Sequence, residues 1–404
     1  MSNSPLYRLA VATVLVSLSC STLCHADWRQ FRGNDSNSVS SETSLPTSLS
    51  GETIAWKVDL PGRGVSSPII VGDKLFVTAS SGYSEDRLHT LCFDSKTGKQ
   101  IWERQFWATG RTMCHKKMSV ATPTPASDGE RVFSFYSSND LTCLDLHGNL
   151  LWYRGLGSDY PNASNSLGMS SSPIVVGDTV IVQVESDAEA FAAGLDVKTG
   201  DEKWKIDRPR KANWTSPAVL RGDTDLVLLQ SSAGLSAVDP NTGDEVWNFD
   251  KGASTIPSST PVGDTVYVPS NGLTVLKPTA SGVEVAWNVE RLRPSTASAV
   301  VYNGDIFMVD RAGVVKCADQ KNGKIKWQLR LKGASFSATP IAGAGMLFFF
   351  NEDGKAFIVK PGDAKGAILS EMELGETILA TPSIANKAVF VRSDQHLWKI
   401  SEDH

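Results

Sequence analysis

Ten residues, Leu195-Asp196-Val197-Lys198-Thr199-Gly200-Asp201-Glu202-Lys203-Trp204, constrain the chain more than any other stretch, because close and loose copies of them recur along it. Val238-Asp239-Pro240-Asn241-Thr242-Gly243 leads to Trp247, and Phe93-Asp94-Ser95-Lys96-Thr97-Gly98 leads to Trp102; looser copies end at Trp152, Trp287 and Trp327. Such a stretch is a strand end, a tight turn and a new strand. Asp caps the turn through its carboxylate, Gly supplies the positive φ, and an apolar strand bearing a Trp follows.

A second marker precedes each copy: a small hydroxyl residue, Pro, an apolar strand and a Gly-Asp turn. Ser67-Pro68, Ser172-Pro173, Ser216-Pro217 and Thr260-Pro261 are clear cases; Thr124-Pro125, Thr339-Pro340 and Thr381-Pro382 continue the series, and at Ser298-Ala299 the Pro is lost. The markers fall about forty to fifty residues apart, the period of four-stranded propeller blades. Eight markers predict an all-β, eight-bladed β-propeller over 54–404. Ile54-Ala55-Trp56-Lys57-Val58 reads as an outer strand with no inner strands before it, and residues 381–400 supply strands with no outer partner. Pairing the two ends closes the ring and removes an exposed edge.

Ahead of the ring, Arg8 followed by an apolar run from Leu9 to Leu18, with Cys24-His25-Ala26 as cleavage positions, reads as an export signal over 1–26. The run is too short to anchor in a bilayer. Acylation at Cys20 is the alternative, but Ser17 stands where a lipidation signal carries Leu. The expected location is therefore periplasmic or extracellular. Residues 27–53, opening on Asp27-Trp28-Arg29-Gln30-Phe31-Arg32-Gly33, are too polar for a core of their own and are expected to lie over the ring as an extended arm pinned by Trp28 and Phe31. A net charge of −5 argues against nucleic acid as the partner, since phosphate binding needs a basic face.

Loop length breaks the symmetry. On the face where each outer strand crosses to the next inner strand, the long connections fall in the first four blades. Trp102 to Thr122 carries Arg104, Arg111, Cys114, His115, Lys116 and Lys117; Trp152 to Ser171 carries Tyr160, Asn162 and Asn165; and Arg208, Arg210, Lys211 and Trp214 precede the fourth blade. Loops on a rigid scaffold are the usual place for recognition. The candidate binding residues are therefore Arg111, His115, Lys116, Lys117, Tyr160, Asn162, Arg208, Arg210, Lys211 and Trp214, expected to converge at one end of the channel and to suit a protein or an anionic small molecule. A monomer is expected.

Of six cysteines, four lie beyond residue 26. Cys92, Cys143 and Cys317 recur two residues before Asp94, Asp145 and Asp319, which makes them small buried packing residues. Cys114 stands apart beside His115, Lys116 and Lys117, cations that favour a thiolate. One Cys and one His do not make a metal site. No haem attachment pattern, nucleophile elbow, Walker loop or His-Glu-x-x-His occurs, so no catalytic residue is assigned.

The repeat resembles the pyrroloquinoline-quinone-type propeller repeat, in the Ser/Thr-Pro, Gly-Asp and Leu-Asp-x-x-Thr-Gly-x-x-x-Trp pattern around Ser171–Trp204 and Thr215–Trp247 and over roughly 54–400. Two branches bear on function. The quinoprotein dehydrogenase branch implies a bound quinone (PQQ) with calcium, a stacking Trp and two adjacent cysteines; the BamB branch implies a cofactor-free protein-docking scaffold. This chain has no adjacent cysteine pair and no motif-matched calcium ligands, so the resemblance implies a secreted, non-catalytic binding or docking propeller without a cofactor. A PQQ-dependent oxidoreductase is the alternative, with Trp214 as the stacking residue.

Overall fold

The computed structural model describes residues 27–402 apart from Asn165, Ser281 and Ala334; the expected export signal, Cys20 and Asn165 lie outside the described residues. Eight four-stranded antiparallel sheets follow one another along the chain, each running from an inner to an outer strand. Blade 1 comprises Ile69–Val71, Lys74–Ser81, Arg87–Asp94 and Gln100–Trp107, and six further blades of the same plan continue to Glu373. The eighth is composite. Ser383–Ala385, Ala388–Arg392 and His396–Ile400 take Ile54–Asp59 as their outer strand, with Ile54 opposite Ile400 and Asp59 opposite His396.

The recurrent turn behaves as its residues dictate. Asp196 Oδ1 accepts from Lys198 N at 2.8 Å and Thr199 N at 3.0 Å, and Gly200 sits at φ +75°. The turn also docks one blade on the next. Trp204 of blade 3 donates its indole N–H to Pro240 O at 2.9 Å in blade 4, and a Cβ built on Gly243 would come within 2.7 Å of its ring. Trp56, Trp102, Trp152 and Trp327 repeat the bond to the following blade. Gly therefore stands in this turn for two reasons, its backbone angle and the indole lying on its Cα. Blade 7 has Ser370 at the Trp position, and there the arm substitutes: Leu49 N donates to Ser370 Oγ at 2.9 Å. Cys92, Cys143 and Cys317 pair across their sheets with Trp102, Trp152 and Trp327 and are fully buried, which pushes each thiol up to about 12.

The hydroxyl marker builds a second inter-blade joint. Ser67 N donates to Thr124 Oγ1, Thr124 N to Ser172 Oγ, Ser172 N to Ser216 Oγ, Ser216 N to Ser258 Oγ, Ser258 N to Ser298 Oγ, Ser298 N to Thr339 Oγ1 and Thr339 N to Thr381 Oγ1, all at 2.9–3.1 Å. One hydroxyl per blade thus circles the channel. The sequence marker Thr260-Pro261 is two residues out of register with it. In blade 5 the ring residue is Ser258, while Thr260 already belongs to the strand Thr260–Val262 and bonds Ala299 O.

The arm crosses the face carrying the Gly-Asp turns. Trp28, 2% exposed, bridges to Ile70 of blade 1. Ser127 N of blade 2 donates to Arg29 O, Val219 N of blade 4 to Ser36 Oγ, and Ala342 N of blade 7 to Ser38 O. Arg32 is fully buried and bonds Ser259 O at 2.8 Å and Thr260 Oγ1 at 2.5 Å in blade 5. Phe31, between these anchors, projects into the channel and lines it.

Candidate functional site

With the arm across one end, the channel becomes a cup opening on the opposite face, the one carrying the long loops. Its cavity has a volume of about 380 Å³, within the range of small-molecule sites. Phe31 forms the floor. The walls are the ring hydroxyls and the residues two positions earlier in each blade, such as Val65, Thr122, Trp214, Ile256 and Leu379. His115, Lys117, Met118, Leu167 and Arg311 stand at the mouth.

The loop after Trp107 is held across this mouth from both sides. His115 N donates to Leu167 O, and Cys114 Sγ lies 3.5 Å from Ser137 Oγ. Lys117 Nζ reaches Glu352 of blade 7 at 2.6 Å, while Ser337 Oγ donates to the other oxygen of that carboxylate at 2.6 Å. Trp214 is fixed by its indole N–H on Gly168 O at 3.0 Å. Cys114 does not become the thiolate expected of it. Burial pushes its thiol up, the Ser137 hydroxyl opposes that rise, and the charge of Arg63 is offset by that of Glu85.

Of the ten candidate residues, the fold gathers His115, Lys117 and Trp214 at the cup. Asn162, Arg208 and Arg210 line a separate side pocket with Glu189 and Asp207. Arg208 is largely consumed there, since its Nε donates to the buried Glu185 at 2.9 Å and its Nη2 to Leu229 O at 3.0 Å. Burial raises the Glu185 carboxyl and the Arg208 charge opposes that rise. Tyr160 packs on Phe191 at 4.6 Å and donates to Glu202 at 2.5 Å, away from the cup. Arg111, Lys116 and Lys211 are exposed and line neither cavity. The expected convergence of all ten is therefore split, because Tyr160 in the loop after blade 2 packs on Phe191 and Glu202 of blade 3, and Arg208 after blade 3 is bonded to Glu185 and to Leu229 O of blade 4.

Sequence reasoning missed Phe31 as the floor, Arg311 at the mouth and the buried Arg32 and Arg392. It also missed a relay in blade 1, where Ser81 Oγ lies 2.7 Å from His89 Nε2 and His89 Nδ1 lies 2.7 Å from Glu103 Oε1. The order matches a nucleophilic triad. Yet the loop before blade 1 lies against it, and a Cβ on Gly62 would be 3.0 Å from Ser81 Cβ. The relay satisfies a histidine only 2% exposed and lines none of the cavities above.

The quinone of the dehydrogenase branch is held together with calcium, so the donor set of the cup bears on that branch directly. Calcium is held by six to eight oxygens, carboxylates foremost. No Asp, Glu, Asn or Gln lines the cup, and no three His, Cys, Asp or Glu side chains converge among the described residues. The residues do not fit calcium. No helix among the described residues is long and apolar enough to cross a membrane.

The chain is similar to known proteins of both branches. The sequence profile of the family described as "Outer membrane protein assembly factor BamB" matches residues 46–159, 91–328, 231–365 and 311–404. The outer membrane protein assembly factor BamB of Burkholderia pseudomallei (strain K96243) is 24% identical over 352 residues, covering 82% of each chain. In structure, BamB from Moraxella catarrhalis aligns at a TM-score of 0.63 with 18% identity, over 87% of this chain and 98% of that one. A europium-containing methanol dehydrogenase aligns at 0.72 with 14% identity, over 91% of this chain and 89% of that one. The quinohemoprotein alcohol dehydrogenase from Comamonas testosteroni aligns at 0.69 with 14% identity, over 93% and 80%.

Proposed function

This chain belongs to the family of the outer membrane protein assembly factor BamB, and from that premise we propose that it is an exported, non-catalytic docking propeller whose partner is a protein of outer-membrane assembly. The observation that carries the reading is the distribution of exposed apolar side chains. Tyr83, Met113, Leu167 and Ile256 are exposed on loops of the loop-bearing face, Leu167 and Ile256 at the cup itself, and the exposed Trp107 ends the outer strand of blade 1 at that same face. The other large exposed apolar residues among those described, such as Leu150, Val246 and Val285, sit on the outer strands. Clustered apolar exposure rimmed by charge is the surface signature of association. Arg111, Lys116 and Arg210 supply cations around it and favour an acidic partner surface.

No cofactor is needed for this role. The quinone-dependent alternative would have to hold its cofactor in a cup that offers calcium no carboxylate. Residues 1–26 would deliver the chain across the inner membrane. In-cell photocrosslinking tests the proposal, with the crosslinking residue placed at Trp107 or Arg210 on the loop face and at Lys198 or Asn241 on the opposite face. Protein adducts from the first pair alone are expected. Adducts from the second pair alone, or from none of the four, would refute it.

A further inference from the structure

The cup carries an unmet electrostatic and hydrogen-bonding demand that docking does not address. Each ring hydroxyl from Thr124 to Thr381 spends an acceptor site on the N–H of the preceding blade, and no described residue accepts from it in return. Ser67, where the ring meets itself, has an Oγ that is buried with no partner at all. A hydroxyl carries one hydrogen besides its lone pairs. The ring therefore turns donors toward whatever occupies the channel.

Two buried cations flank that ring. Arg32 lies against Ser259, the neighbour of ring residue Ser258, and Arg392 bonds Ser66 Oγ at 2.6 Å beside ring residue Ser67. Arg392 ends the strand Ala388–Arg392 of blade 8 and reaches into blade 1, bonding Thr78 O as well as Ser66, while Arg32 comes from the arm; both lie behind the lining of the cup rather than in it. Both are fully buried, and neither has an ion-pair partner among the described residues. On Arg392, Nε and Nη2 have no hydrogen-bond partner either. Burying an uncompensated charge is among the costliest arrangements in a protein unless an opposite charge is supplied. At the mouth, Lys117 shares its charge with Glu352, whereas Arg311 is exposed and makes no side-chain ion pair or hydrogen bond with a described residue. The lining brings no acid to balance them.

We propose that the cup binds a small organic carboxylate, its acid group met by Arg311, Lys117 and the hydroxyl donors, its apolar body lying against Trp214, Ile256, Leu379 and Phe31, with no metal ion. Inorganic phosphate would satisfy the charge but leave the apolar walls without a partner. The site is independent of the docking reading, since purified protein without any partner is enough to examine it.

The experiment is calorimetric titration of the mature protein with 2-naphthoate, phenylacetate and octanoate, each paired with its uncharged amide, and with inorganic phosphate. At least one acid is expected to bind about tenfold more tightly than its amide, the size of one charge-assisted hydrogen bond. Calcium and chelator should leave that affinity unchanged. Arg311→Met, at an exposed side chain that can be replaced without disturbing the fold, should weaken acid binding by about the same factor and leave the amide as before. The proposal is overturned if no acid outbinds its amide, if phosphate binds as well as the best acid, or if Arg311→Met binds the acid like the wild type.

Discussion

If the turn glycines are fixed by the indole lying on them as well as by their backbone angle, Gly243→Ala and Trp204→Ala must be strongly non-additive. Gly243 sits at φ +75°, and a Cβ there would meet Trp204 Cε3 at 2.7 Å and Cδ2 at 2.8 Å. The left-handed backbone costs alanine roughly 1–2 kcal/mol. The close contact adds a further 1–3 kcal/mol or so, because the indole is held on Pro240 O and cannot step aside. Gly243→Ala alone should therefore cost about 2–5 kcal/mol. Trp204→Ala removes a side chain 7% exposed and orphans that carbonyl, at about 3–5 kcal/mol. In its background Gly243→Ala should cost only the backbone part, about 1–2 kcal/mol, leaving a coupling of roughly 1–3 kcal/mol. Urea unfolding of the four proteins, followed by tryptophan fluorescence and circular dichroism together, measures the cycle. Equal cost of Gly243→Ala in both backgrounds, within about 0.5 kcal/mol, would refute the reasoning.

Other consequences follow from the same structure. Deleting residues 27–59 removes both the arm and the outer strand of blade 8, and should abolish the cooperative thermal transition; a deletion variant melting like the intact protein would remove the closure account. Glu376 is driven up by burial and more strongly down by Lys57, Ser393 and His396, so its folded value lies below the ordinary 4.5. A depressed carboxyl contributes stability that is complete above about pH 4.5 and lost as pH falls through the folded value, so Glu376→Gln should flatten the acid side of the stability profile; an acid limb as steep as the wild type's would refute this. A thiol reagent at pH 8 should leave Cys92, Cys143 and Cys317 unmodified in the native protein and Cys114 modified slowly, with all four reacting in denaturant; fast native labelling of Cys114 would restore the thiolate reading.

The ring was legible because its determinants are local. Asp196, Gly200 and Trp204 fall within nine residues, and each acts through turn chemistry or through the blade next to it. The hydroxyl marker was visible as a pattern, but its meaning was not, since Ser172 bonds Ser216 only once two blades are side by side. That is also why blade 5 was misregistered: Ser258-Ser259-Thr260-Pro261 offers several hydroxyls and one proline, and the ring geometry chooses the first. The site was less legible. Arg210 and Lys117 both read as loop cations, yet Lys117 is drawn over the mouth by Glu352, 235 residues away, while Arg210 is left at a side pocket. Nothing local to Arg32 or Arg392 signals their burial, which comes only from the arm's path and the closure of blade 8. Phe31 was expected to pin the arm, a role that falls chiefly to Trp28.

The central claim is that this propeller recognises without catalysing, and one measurement addresses it directly. Purified protein comprising residues 27–404 is incubated with pyrroloquinoline quinone, with and without calcium, and followed for calcium-dependent quinone uptake and for dye-linked oxidation of alcohols and sugars. The cup's lack of carboxylate and amide side chains predicts no calcium-dependent uptake and no turnover. Stoichiometric, calcium-dependent uptake accompanied by dye reduction would contradict the account.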